Sequence, residues 1–154
     1  MDVRERLYYR HVEAALAGLM SVNRKSMGAF RAKLRHLRNI GVPQLTSPNP
    51  GSGRPIEYSR RHALELMIAL ELEKLGQSPR NVALNAPSIV GQSPYGQYEG
   101  QDCYVVIRKD EPGYTMTTEK GFPEFMRKAP DVFMVINVSG CVRRLDAALD
   151  HVLG

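Results

Sequence analysis

The stretch GSGRPIEYSRRHALELMIALELEKLG, Gly51 to Gly76, decides how the rest of the chain is read. It begins as a glycine–proline loop carrying one arginine, Arg54. It passes through a short extended piece, Pro55–Tyr58, and turns directly into a helix. Ser59 suits the N-cap, because its hydroxyl can accept one of the amide protons that a first helical turn leaves unpaired. Ala63, Leu64, Leu66, Met67, Ile68, Leu70, Leu72 and Leu75 cover more than one face. Such a helix is expected to lie buried between two partners or at a subunit interface, and to run to about Leu75. The loop is no nucleotide cradle. PNPGSGR lacks the Gly-Lys-Ser/Thr ending of a P-loop and stands several residues ahead of its helix.

Upstream, residues 2–20 carry Val3, Leu7, Val12, Ala15, Leu16 and Leu19 at helical spacing, with Asp2 as a cap. Ser21, Asn23 and Ser26 break this helix. A second helix is expected over 26–39. Met27, Phe30, Leu34 and Leu37 form one apolar stripe, and Gly41 and Pro43 end it. On a wheel of about 100° per residue, Lys25, Gly28, Ala29, Ala32, Arg35, His36 and Asn39 fall opposite the stripe, flanked by Arg31, Lys33 and Arg38. Small residues admit a close approach and long donors reach phosphates and base edges, as a recognition helix in a major groove requires. Residues 44–58, with prolines at 48, 50 and 55, then read as a wing whose Arg54 reaches phosphates or the minor groove.

Charge supports this reading. The chain of 154 residues has a net charge of +5 and a pI near 9.4. Residues 21–61 hold nine of the basic residues and one acid, Glu57, a local balance of +8, and the remainder balances at −3. Basic charge gathered this way is the footprint of a polyanion-binding surface.

Downstream, Gln77–Ala86 reads as a short helix capped by Ser78, begun by Pro79 and ended by Pro87. Residues 88–101, rich in Gly, Pro, Ser and Gln, read as a linker. CYVVIRK and YTMTTE look like strands, FPEFMRKA like a short helix, VFMVINV like a central strand, and SGCVRRLDAALDHVL like a closing helix. The expected fold class is α+β. A winged helix-turn-helix over 1–87 and a linker over 88–101 precede a small α/β domain over 102–154, for dimerisation or sensing. Cys103 and Cys141 are expected to be free, buried thiols.

Residues 12–86 resemble the MerR-type winged helix-turn-helix DNA-binding domain. The likeness rests on LRHLRNIGVP, where the recognition helix closes on Gly, an apolar residue and Pro, and on RPIEYSRRHALELMIALELEKLGQSPRNV, the wing exit and following helices. It implies a DNA-binding transcriptional regulator, usually dimeric, on palindromic sites. Carried over, Ser26, Arg31 and Arg35 occupy recognition-helix positions, Arg54 the wing, and Tyr58, Arg60 and Arg61 the wing exit. The chain departs from that pattern in its proline-rich wing, in lacking a long coiled-coil helix, and in lacking a cysteine cluster for metal sensing.

The expected function is sequence-specific transcriptional regulation, with helix 26–39 in the major groove and the wing on flanking phosphates. The expected DNA contacts are Lys25, Ser26, Arg31, Lys33, Arg35, His36, Arg38, Arg54, Tyr58, Arg60 and Arg61. Two alternatives remain open. One is an excisionase-like architectural or recombination accessory protein; the other is a ligand- or protein-binding α/β interaction module. Partners are double-stranded DNA, a second copy as a homodimer, and RNA polymerase or another regulator. No enzymatic activity is expected. His11, His36, His62 and His151 lack metal-ligand spacing, Asp102, Asp110, Glu111, Glu119 and Glu124 show no catalytic pairing, and no nucleophile motif occurs. Neither catalytic residues, cofactors nor metals are expected. With no apolar run of 18 residues and no signal-peptide core in MDVRERLYYR, a cytoplasmic location is expected.

Overall fold

The computed structural model describes residues 6–45, 53, 55–108, 111–128 and 132–154. The chain is of mixed α and β type. Strand β1 (Leu7–Tyr8) leads into α1 (Tyr9–Leu19), and a 3-10 turn over Arg24–Ser26 leads into α2 (Met27–Asn39). Strand β2 (Glu57–Tyr58) precedes α3 (Arg60–Lys74) and α4 (Pro79–Gln92). Strands β3 (Gln97–Tyr98), β4 (Gln101–Arg108) and β5 (Thr115–Thr118) follow, then α5 (Phe122–Lys128), β6 (Phe133–Asn137) and α6 (Val138–Leu153). Among the described residues no helix is long and apolar enough to cross a membrane.

The first helix starts later than expected. Leu7 and Tyr8 are extended, because they pair antiparallel with Tyr58 and Glu57. The expected cap, Asp2, lies outside the described residues. Two helices begin at this small ribbon with one device. The Tyr8 N–H donates to His11 Nδ1 at 3.2 Å, and the Ser59 N–H donates to His62 Nδ1 at 3.1 Å. Ser59 Oγ in return accepts the His62 N–H at 3.1 Å, a reciprocal cap.

Helix α3 is buried from Ala63 through Leu70, Glu65 included. Its partners lie within the chain: α4 packs along it, α6 crosses it, and α2 and β2 touch it. Helix α6 also packs against α1 and β4, so that Leu16, Leu66, Val105, Leu145 and Leu149 belong to one buried cluster.

Helix α4 does not end at Pro87 but continues to Gln92. A proline inside a helix removes a hydrogen bond and costs about 3 kcal/mol in isolation. Here Pro87 is buried with Ala86, Ile89 and Val90, and that packing outweighs the lost bond. Asn85 Nδ2 donates to the Pro112 carbonyl at 2.9 Å, and Ser88 Oγ lies 2.6 Å from the Tyr114 hydroxyl, tying α4 to the segment before β5. The stretch read as a linker thus carries the end of α4, and Gln97–Tyr98 forms a hairpin with Gln101–Asp102.

Strand β4 is the centre of the four-stranded sheet, with β5 and β6 both pairing antiparallel to it. The expectation that 133–137 is central is therefore corrected. Its run is apolar on both faces for another reason. Ile136 is buried in the core, while Phe133 lies under Phe125 of α5 in an edge-to-face contact at 5.6 Å. Cys103 and Cys141 are free and buried, as expected, and burial raises both thiol pKa values. Ser139 Oγ accepts the Cys103 N–H at 2.8 Å and donates to the Gly96 carbonyl, which fastens α6 to the hairpin.

One core that needs α6 makes a prediction about truncation. A fragment ending at Pro87 should show no cooperative urea unfolding, since Leu16 and Leu66 lose their cover. In the full chain Leu149→Ala, at a fully buried position, should destabilise by about 2–5 kcal/mol. A cooperatively folded 1–87 fragment would contradict the shared core.

Candidate nucleic-acid interface

Helix α2 is placed by its two ends. At the start, Asn23 Oδ1 accepts the Ser26 N–H at 3.0 Å and nucleates the turn that carries Arg24, Lys25 and Ser26. At the end, the Gly41 N–H reaches the Arg38 carbonyl at 3.0 Å and the Val42 N–H reaches that of Leu37 at 2.9 Å. This is a Schellman closure, and Gly41 supplies its left-handed φ of 94°. Phe30, Leu34 and Leu37 are buried. Gly28, Ala29, Ala32, Arg35, His36 and Asn39 are exposed on the opposite side. No acidic residue occurs between Ala14 and Ile56.

The cations of this surface divide into anchored and unpaired groups. Arg31 Nε donates to Glu13 Oε1 at 2.8 Å, from α2 back to α1. Lys33 Nζ stands 3.7 Å from Glu73 Oε2 of α3. Arg38 lies over the Tyr9 ring, 4.7 Å from its centroid, with its Nε buried and lacking an acceptor. Burial, and then the Glu13 carboxylate, push the Tyr9 hydroxyl above its ordinary pKa, so the ring under Arg38 stays neutral. Lys25, Arg35 and His36 are exposed and make no ion pair among the described residues.

Between α1 and α2 runs a cleft of about 340 Å³ in which Arg10, Arg31, Arg35 and Arg38 meet Tyr9 and Glu13. It adjoins a second, of about 500 Å³, reaching Pro55, Ile56 and Tyr58 beside β2 and sharing Tyr9, Arg10 and Arg38. Arg10 is a member of this basic groove that sequence reasoning missed. Its position one turn before Glu13 on α1 shows no pattern, and only the packing of α1 on α2 brings it in.

Three expected contacts are turned inward or toward other elements. Tyr58 is 5% exposed, and its ring packs against those of Tyr9 and His62, so it supports the loop base from inside. Arg60 Nη1 donates to Asp146 at 2.8 Å and Nη2 donates to Asp150, which turns it towards α6. Arg61 Nε stands 3.5 Å from Glu65 Oε1. Both arginines line a separate cavity between α3 and α6. A fourth expected contact, Arg54, lies outside the described residues, as do residues 46–52 of the stretch read from sequence as a wing.

Glu65 is a second residue that sequence reasoning missed. It is 1% exposed and accepts the Gln44 N–H at 2.9 Å, which fixes where the chain leaves α2. An acidic residue in a run of leucines carries no signal of such a role. Beside it, burial lowers the His62 pKa, with the Glu65 carboxylate pulling it back up and Arg61 lowering it further. The arrangement offers hydrogen-bond donors and positive charge around a closely approachable helix face. Among the described residues no group of three or more His, Cys, Asp or Glu side chains stands together as a metal site.

The chain matches no protein-family model, and no curated protein or solved structure matches it significantly.

His62 makes stability depend on pH. Its folded pKa lies below the ordinary 6.5, so the unfolded chain binds the proton more readily. The stabilisation from neutral His62, whose Nδ1 lone pair accepts the Ser59 N–H, is complete above pH 6.5 and is lost as pH falls through the lowered value. Urea midpoints measured from pH 7.5 to 5 should therefore fall. The fall should be shallower in His62→Gln, which keeps a capping acceptor without titrating. Parallel curves would assign the pH dependence to other groups.

Proposed function

We propose that this chain is a sequence-specific DNA-binding transcriptional regulator whose N-terminal half is a winged helix-turn-helix of MerR type. In this reading α1 and α2 are the two helices of the motif, joined by the turn at Arg24–Ser26. The loop 44–58 is the wing, and the ribbon of β1 and β2 closes its base. Helix α2 enters the major groove as part of a homodimer on a palindromic site.

The observation that carries the reading is the exposed side of α2. It presents Gly28, Ala29 and Ala32 bordered by Arg35 and His36, with no carboxylate on the helix and the four-arginine cleft alongside. A helix can seat deeply in a groove only if its outward residues are small, and it reads bases only if donors stand at the edge of that strip. Arg35 is the base-reading candidate because it has no internal partner among the described residues. Arg31 and Arg38, held by Glu13 and Tyr9, are positioned for the phosphate backbone. Arg60 is engaged by Asp146 and Asp150 on α6 and Arg61 by Glu65 on α3, away from this face.

Mobility shifts with a library of duplex fragments, over a series of salt concentrations, test this. The expected result is selective retention of a palindromic set, with affinity falling steeply as salt rises. Arg35→Ala should cost about 1–3 kcal/mol at the cognate site and relax selection at one base position. Lys25→Ala and Arg54→Ala should weaken binding to all sequences alike, each lowering the salt slope by about 1. Absence of binding at low salt would overturn the reading. Binding without sequence preference but with strong bending would replace it by an architectural role.

A further inference from the structure

The cavity that receives Arg60 and Arg61 has a volume of about 540 Å³. That falls within the roughly 300–1,000 Å³ of small-molecule sites. Leu64 on α3, Val90 on α4, and Val142 and Leu145 on α6 give it apolar walls, which Arg60, Arg61 and Asp146 interrupt. A turn over Pro94–Gly96 closes one side. It presses so tightly on α6 that a Cβ at Gly96 would lie 2.9 Å from Val142 and 3.0 Å from the Ser139 backbone. The turn holds Tyr95 at the mouth with a φ of 54° and 91% of its surface in water. A tyrosine in left-handed backbone conformation with its ring unpacked is uncommon, and such strain gathers at ligand sites.

The charges at this cavity are not equivalent. The Arg60 guanidinium is matched inside the protein by Asp146 and Asp150. Arg61 touches Glu65 through Nε alone, at 3.5 Å. Among the described residues its two terminal nitrogens meet no acceptor. Nη2 stands beside Gly91, where a Cβ would lie 3.5 Å away, and the glycine keeps that side of the cavity open. Of the two guanidinium groups that line the cavity, Arg60 is matched by Asp146 on the same wall, while Arg61 is largely exposed and, among the described residues, pairs only with Glu65 at 3.5 Å. Apolar walls beside such a guanidinium complement an apolar molecule bearing one carboxylate, since the guanidinium fork pairs with both oxygens. The same arginine is the counter-charge of Glu65, and Glu65 accepts the Gln44 N–H at the start of the wing loop.

We propose that this cavity binds a small apolar carboxylate, aromatic or aliphatic, through Arg61 and Tyr95. Its occupancy is felt at the wing through the chain Arg61, Glu65, Gln44. A carboxylate drawing on Arg61 weakens its hold on Glu65 and changes the charge that the Gln44 amide faces. The binding itself does not depend on the DNA-binding reading; the coupling gives that reading an effector.

Titration of the full chain with 1-naphthoate, followed by amide ¹H–¹⁵N spectra, tests it, with neutral 1-naphthamide as the comparison. Saturable shifts are expected at Gly91, Tyr95 and Val142 and, through the relay, at the Gln44 amide. Naphthoate should bind at least tenfold more tightly than naphthamide. Arg61→Met should remove that preference while leaving naphthamide affinity unchanged. Gly91→Leu should cut both affinities at least tenfold, and Tyr95→Ser severalfold. The last lies at an exposed ring and leaves the fold intact should Arg61→Met unfold the protein. Equal affinity for acid and amide, or no saturable shift at millimolar ligand, would overturn the site. A Gln44 amide that stays still while Gly91 moves would overturn the relay.

Discussion

Helix α3 must be kept from water on nearly its whole circumference, and the rest of the chain is arranged around that requirement. Six large apolar side chains between Leu64 and Leu72 are buried. Each is worth about 1.5–3 kcal/mol when removed from water. One neighbouring helix cannot cover them. Helix α4 takes one side because Gly76 turns the chain straight back, and α6 takes another from far along the sequence. Strand β2 leads directly into the N-terminal end of this core helix, and Gln44, just after α2, is hydrogen-bonded to Glu65 within it.

What was legible in the sequence follows from the range of the interaction that fixes each feature. The caps at Ser59 and Ser78 and the closure at Gly41 are set within a few residues, and all three are found. Strand β1 is only Leu7–Tyr8 and exists because Tyr58 and Glu57 pair with it, so local periodicity carried the helix through it. Pro87 misled for the same reason. The rule that a proline ends a helix weighs a local bond, whereas Pro87 is held by burial against distant partners. That α6 supplies the missing cover for α1 and α3 was not readable either. An apolar stripe at Val142, Leu145, Leu149 and Val152 announces that a face is buried, not what buries it.

The basic surface shows the same division. Charge density along residues 21–61 located it, since charge needs no partner to be counted. It did not separate cations that bind outward from those that bind inward. Arg31 to Glu13, Lys33 to Glu73 and Arg38 to Tyr9 are tertiary contacts that leave each head group partly exposed and reduce its freedom. Exposed ion pairs of this kind contribute little stability, about 0–1 kcal/mol. They also restrain the head groups: a guanidinium already fixed in place loses less side-chain entropy on meeting an anion. Arg60 and Arg61 sit in the same run of charge yet face α6 and α3, because the first turn of α3 has rotated them off the α2 side.

Glu65 stands where these two charge systems meet. A carboxylate taken into an apolar helix interface without partners is strongly destabilising. Its partners here come from both directions, the Gln44 amide from the segment after α2 and Arg61 from the cavity side. Neither alone satisfies it: the amide supplies one hydrogen bond without charge, and Arg61 supplies charge at 3.5 Å. Whatever alters one partner changes what the other must supply. A leucine would have filled the position with less electrostatic strain, but it would have left the Gln44 amide without its acceptor. The segment leaving α2 at Gln44 and the cavity side of α3 therefore meet at one buried carboxylate and not merely through shared packing.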